Sequence, residues 1–91
     1  MAHVYIPTLL RPLTGGRAQV QAPGRTVREL IENLDRHFPG LAERLCDQGR
    51  LRPNISVAVD DEVSPLGLLE ELQPHSEVHF LTAIRGGASP K

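Results

Sequence analysis

Residues 26–40, TVRELIENLDRHFPG, restrict the fold more than any other stretch of the chain. Val27, Leu30, Ile31, Leu34 and Phe38 stand at i, i+3, i+4, i+7 and i+11, which draws a single apolar stripe along one helix. Thr26 followed three residues later by Glu29 fits a capping box, in which each side chain satisfies a backbone donor of the other residue. Arg36 and His37 suit the negative end of the helix dipole, and Pro39-Gly40 stops the helix. Leu41 and Leu45 allow one more helical turn before Asp47-Gln48-Gly49. A helix with one apolar stripe must bury it against something, and 91 residues leave room for one domain. The remaining regular segments must supply the opposing layer.

Those segments repeat every second residue, as strands do. HVYIP places Val4 and Ile6 on one face and Tyr5 on the other, and Pro7, with no backbone donor, ends or bulges the strand. Thr14-Gly15-Gly16 signals a turn, after which Ala18, Val20 and Ala22 share a side, so the two segments are expected to form a hairpin. Ile55, Val57 and Val59 face inward in the next strand, with Asp60-Asp61 as the turn at its end. Residues 64–76 read as loop with a short helical turn. EVHFLTAI is the last strand, with Val78, Phe80 and Ile84 inward. One amphipathic helix over a small mixed sheet is a two-layer α+β domain.

Composition narrows the function classes. Hydrophobic residues make up 40% of the chain, but Tyr5, Phe38 and Phe80 are the only aromatics, so Leu, Val and Ile must build the core. Ten basic and eleven acidic side chains are interspersed, without the basic stripe of a nucleic-acid binder. Cys46 is the only cysteine, which excludes an internal disulfide and favours a reducing compartment. The first residues lack a charged region followed by an apolar run, and no apolar stretch approaches the ~20 residues that span a bilayer. A cytoplasmic protein with neither nucleic-acid nor membrane partners is expected.

The side chains offer little chemistry. His75 and His79 lie in an extended segment, roughly 13 Å apart at ~3.3 Å per residue, too far to share an ion. His3 and His37 have no ligand partners at a regular spacing, and Asp60-Asp61-Glu62 reads as a solvated hairpin tip. Cys46 has no assignable base and reads as a small buried residue. No catalytic residue and no metal site is expected. The sheet face away from the core carries Tyr5, Ser56, Ala58, His79, Leu81 and Ala83, which is milder than a solvated face. It reads either as scattered apolar residues or as a docking surface beside the C-terminal strand.

Gly86-Gly87 follows directly on that strand. Two residues without Cβ make a narrow peptide able to thread a channel and present a backbone carbonyl. The element order, the length and this Gly-Gly exit resemble the ubiquitin-like sulfur carriers, which include the small subunit of molybdopterin synthase and the thiamine-pathway carrier. IPTLLRPLTGG, residues 6–16, more narrowly resembles the carrier of thiocarboxylate-dependent cysteine synthesis. The resemblance implies a β-grasp fold, a mixed sheet of four to five strands under one main helix, with first and last strands adjacent. It implies a carrier rather than an enzyme, bearing a C-terminal thiocarboxylate on Gly87 and holding no cofactor. An adenylating enzyme using MgATP would activate Gly87, and a synthase would accept the sulfur. Arg85 and Gly86 would enter the activating enzyme's channel, and Tyr5, Ala58, Leu81 and Ala83 would supply docking area.

The chain departs from the family pattern at Ala88–Lys91, which follow Gly87. A carrier domain of residues 1–87 is therefore expected, with residues 88–91 removed by a metalloprotease. Lys91, the only lysine, would leave with them. Two other outcomes stay open on the sequence: the small subunit of molybdopterin synthase, or a ubiquitin-like protein conjugated to lysines of other proteins.

Overall fold

The computed structural model describes residues 1–82. Strand β1 (Ala2–Tyr5) runs into a 3₁₀ segment (Thr8–Thr14) and returns as β2 (Gln19–Ala22). Helix α1 (Val27–His37) and the short α2 (Leu41–Leu45) follow, then a miniature hairpin of β3 (Cys46–Asp47) and β4 (Arg50–Leu51). Strands β5 (Ile55–Val59) and β6 (Glu62–Val63), a 3₁₀ turn (Gly67–Leu69) and β7 (Glu77–Thr82) complete the order.

The main sheet has five strands in the order β2-β1-β7-β5-β6. β1 lies parallel to β7, with Val4 opposite Val78, and β5 is antiparallel to β7, with Val57 opposite Phe80. The last strand is thus the central one. This is the mixed five-stranded sheet under one helix expected of a β-grasp, with first and last strands adjacent.

The helical stripe behaves as its spacing demands: Val27, Leu30, Ile31 and Leu34 are buried, and Phe38 packs half-buried at the margin. They meet Val4, Val20, Val57, Val78 and Phe80 from the sheet, and Leu41 and Leu45 of α2 close the core's end. The Thr26 Oγ1 accepts the Glu29 N–H at 3.2 Å, but Glu29 Oε1 reaches back to the Arg25 N–H at 3.0 Å rather than to Thr26. Thr26 itself bridges to Glu71, and Leu72 N–H donates to the Arg25 carbonyl, so the helix start is tied to the segment before β7. Asp35 adds a second tie, its Oδ1 accepting the N–H groups of Gly40 and Ala42 and so joining α1 to α2. Gly24 passes so close to α1 that a Cβ there would sit 2.7 Å from the Leu30 nitrogen.

Several local features differ from the sequence expectation. The β1–β2 connection is a seven-residue 3₁₀ segment that buries Leu10 and Thr14, not a bare glycine turn. The buried Thr14 hydroxyl lies 2.8 Å from the Arg17 carbonyl and 3.0 Å from that of Arg11, pinning the end of this segment. The β3–β4 hairpin was not expected; Gln48 and Gly49 form its tip at φ 54° and 80°. Asp60 and Asp61 do turn the chain, both at positive φ as a two-residue hairpin requires. Asp60 is more than a solvated tip, because its carboxylate accepts the Ser76 hydroxyl and the Glu77 N–H, at 3.1 and 2.9 Å.

Candidate functional site

Strand β7 is the element that positions everything of functional interest. Val78 (0% exposed) and Phe80 (3%) anchor it in the core, and hydrogen-bonded neighbours hold both its edges. It delivers the chain at Thr82, opposite Ile55 of β5. Ala83, Ile84, Arg85, Gly86, Gly87 and the residues 88–91 beyond them lie outside the described residues.

On the sheet face away from α1, register aligns four strands into one row. Gln19 stands beside Tyr5, Tyr5 beside His79, and His79 beside Ala58. The Tyr5 and His79 rings stack with centroids 4.0 Å apart and planes within 3°. Such a stack fixes two side chains that would otherwise sample several rotamers, so the row is a rigid, mildly apolar platform. Ala58 is only 8% exposed and forms the floor between larger neighbours. Leu81, at 43% exposed, stands one step nearer the end of β7, beside Ser56. Tyr5, Ala58 and Leu81 therefore do share one face, with Leu81 and Tyr5 as its accessible members.

A second feature flanks the same end of β7. A cleft of about 550 Å³ opens between Thr82 and Ile55 on one side and Leu9, Arg44 and Arg52 on the other. Leu9 is 79% exposed, and Arg52 is held in place by its Nε and Nη2 donating to the Glu43 carbonyl at 3.0 and 2.7 Å. Sequence reading missed these residues, because they come from the 3₁₀ segment, α2 and the loop before β5. An exposed leucine and two arginines carry no pattern until the fold brings them to the root of the C-terminal segment.

Among the described residues no three His, Cys, Asp or Glu side chains gather to hold a metal ion. Cys46 is half-buried, and its burial raises the thiol's pKa, the charges of Arg52 and Arg28 offsetting part of the rise. No helix among the described residues is long and apolar enough to cross a membrane.

Comparison with known proteins agrees with this geometry. The ThiS family profile matches residues 4–87. The sulfur carrier protein CysO of Mycobacterium tuberculosis is 37% identical over 89 residues, covering 92% of this chain and 96% of its own. Its crystal structure superposes with a TM-score of 0.87 at 35% identity, covering 92% of this chain and all of that one. CysO in the BexX/CysO complex of Amycolatopsis orientalis superposes at 0.90, with 36% identity over 96% of this chain and 100% of that one. The small archaeal modifier protein 1 of Methanosarcina acetivorans shares the fold, at a TM-score of 0.79 and 20% identity over 94% of this chain and 95% of its own. The family resemblance and the β-grasp fold anticipated from the sequence are both borne out, and the chain belongs to the ThiS family.

Proposed function

We propose that this protein is a sulfur carrier for cysteine synthesis, bearing the sulfur as a thiocarboxylate on Gly87. The observation that carries the reading is the extent of the family match, which runs from β1 through to Gly87. The near full-length similarity to CysO sulfur carrier proteins supports cysteine synthesis over pterin-cofactor assembly.

The chemistry follows from the weakness of a carboxylate as an electrophile. A metalloprotease first cuts the amide between Gly87 and Ala88, exposing the acid. In an adenylating partner, a Gly87 carboxylate oxygen attacks the α-phosphorus of MgATP and pyrophosphate leaves. Sulfide, as HS⁻, then attacks the acyl carbon and expels AMP, and the thioacid loses its proton to leave –COS⁻. A persulfide donor instead forms an acyl disulfide, from which a second thiol releases –COS⁻ by taking the donor's sulfur into a new disulfide. That group is the nucleophile offered to the accepting synthase, so the carrier is a co-substrate and not a catalyst. The paired glycines let the terminus enter a narrow site with no Cβ to collide. Arg85 and Gly86 enter the partner's channel with Gly87, and the face bearing Tyr5 and Leu81 over Ala58, together with Ala83 two residues after Leu81 in the sequence, docks the partner. A reducing cytoplasm suits both the lone cysteine and an oxidisable thioacid.

The test is intact-mass measurement of protein ending at Gly87 after incubation with activating enzyme, MgATP and sulfide. A gain matching one oxygen replaced by sulfur is expected, and no gain in the chain that retains residues 88–91. Adduct formation only with protein lysines, without the thioacid, would replace this reading with conjugation.

A further inference from the structure

The 3₁₀ segment Thr8–Thr14 buries Leu10 and Thr14 but turns Leu9 outward, 79% exposed, more than any other large apolar side chain among the described residues. A hydrogen-bonded frame fixes its backbone. The Leu10 N–H donates to the Pro7 carbonyl at 2.9 Å, the Gly16 N–H to the Arg11 carbonyl at 2.8 Å, and the Arg11 Nε to the Ile6 carbonyl at 3.1 Å. An exposed leucine alone means little. Its place beside the end of β7 is what counts.

The length of chain beyond Thr82 limits where a partner can stand. In the activation proposed above, Arg85 is the first residue inside the activating enzyme's channel. Arg85 follows Thr82 by three residues, and an extended chain spans at most ~3.6 Å per residue. The channel mouth must therefore come within about 11 Å of Thr82, whatever path the intervening residues take. Side chains reaching out from both proteins close such a distance. The described residues that share a cleft with Thr82 are the ones the mouth meets first.

That cleft, of about 550 Å³, is lined by Leu9 on one side and Ile55 on the other. We propose that it seats an apolar side chain from the channel mouth of the activating enzyme, with Leu9 as the anchor that helps select that enzyme. The inference rests on the Gly87 reading and names a contact that reading leaves open. Charge does not choose the occupant, because Arg44 and Arg52 share the cleft with the acid Glu43 and nearly balance it. Apolar contact carries the recognition. Leu69 supplies the contrast: it is 71% exposed, but it borders a separate cavity with Arg50 and Leu66, away from the residues at Thr82.

The experiment is ATP–pyrophosphate exchange by the host's adenylating enzyme, with the carrier ending at Gly87 as the varied substrate. Leu9→Asp raises the carrier's KM about tenfold or more and leaves kcat within about twofold, the pattern of a lost docking contact. Leu9→Met keeps KM within about twofold of the unaltered protein, and so does Leu69→Asp. Thermal unfolding of Leu9→Asp matches that of the unaltered chain, since an exposed side chain is replaced. An unchanged KM for Leu9→Asp, with exchange intact, overturns this inference alone. So does an equal rise for Leu69→Asp, a fall confined to kcat, or a free chain that dimerises through Leu9. No exchange with the unaltered protein removes the Gly87 reading, and this inference falls with it.

Discussion

The two sides of β7 obey different rules. Val78 and Phe80 point into the layer beneath α1 and are almost fully removed from water, whereas His79 and Leu81, one residue along, stand on the open face. The inner pair is constrained by packing, where a lost methylene is felt throughout the core. The outer pair is constrained by none of that, so its stacked Tyr5–His79 row and exposed Leu81 can be shaped by what they touch. One strand thereby joins a packed foundation to the face proposed to dock the partner, and mutations on its two sides should separate stability from transfer.

The largest effect is expected from Phe80→Ala, which opens a cavity under α1 and should cost about 3–5 kcal/mol in urea unfolding, with an unchanged m-value. Gly24→Ala tests the same inner layer from the helix side. Its new Cβ meets backbone atoms of Leu30 that cannot yield separately, so a loss of about 1–3 kcal/mol is expected in the same measurement. Thr26→Ala removes the acceptor for the Glu29 N–H and should cost about 1 kcal/mol, read as a lowered thermal midpoint. Leu81→Ala should change stability by no more than about 0.5 kcal/mol, yet slow thiocarboxylate formation in single-turnover assays with the activating enzyme. If Leu81→Ala destabilises the fold as Phe80→Ala does, the division between the faces fails.

Cys46 gives a pH-dependent probe of the inner layer's margin. Burial raises its thiol pKa in the folded chain, so the folded state favours the neutral thiol. Its contribution to stability is complete below the ordinary thiol pKa and is lost as pH rises through the raised folded value. Alkylation by iodoacetamide near pH 8 should therefore be slower in the folded protein than in urea, with the gap narrowing at higher pH. Equal rates at all pH values would contradict the burial.

Much of this division is legible in the sequence because period is a local property. The stripe from Val27 to Leu34 and the alternation of residues 55–59 and 77–80 assign faces without any knowledge of tertiary contacts. The two-residue strands at Cys46–Asp47 and Arg50–Leu51 are too short to show a period, so the hairpin they form is invisible until the chain folds. The burial of Ala58 depends on which side chains register places beside it, and Arg44, Arg52 and Leu9 share a cleft only because distant elements converge at Thr82. The Thr26–Glu29 box was readable as a motif, but its second hydrogen bond goes to Arg25, a choice made jointly with the segment around Glu71.

The central place of β7 has a mechanical consequence. Tension applied beyond Thr82 along the strand direction loads its ladders to β1 and β5 simultaneously, in shear, whereas a strand at the margin would peel away one bond at a time. Under the proposed function, a partner enzyme that grips the segment after Thr82 could pull on it and let go repeatedly while the body of residues 1–82 keeps its shape.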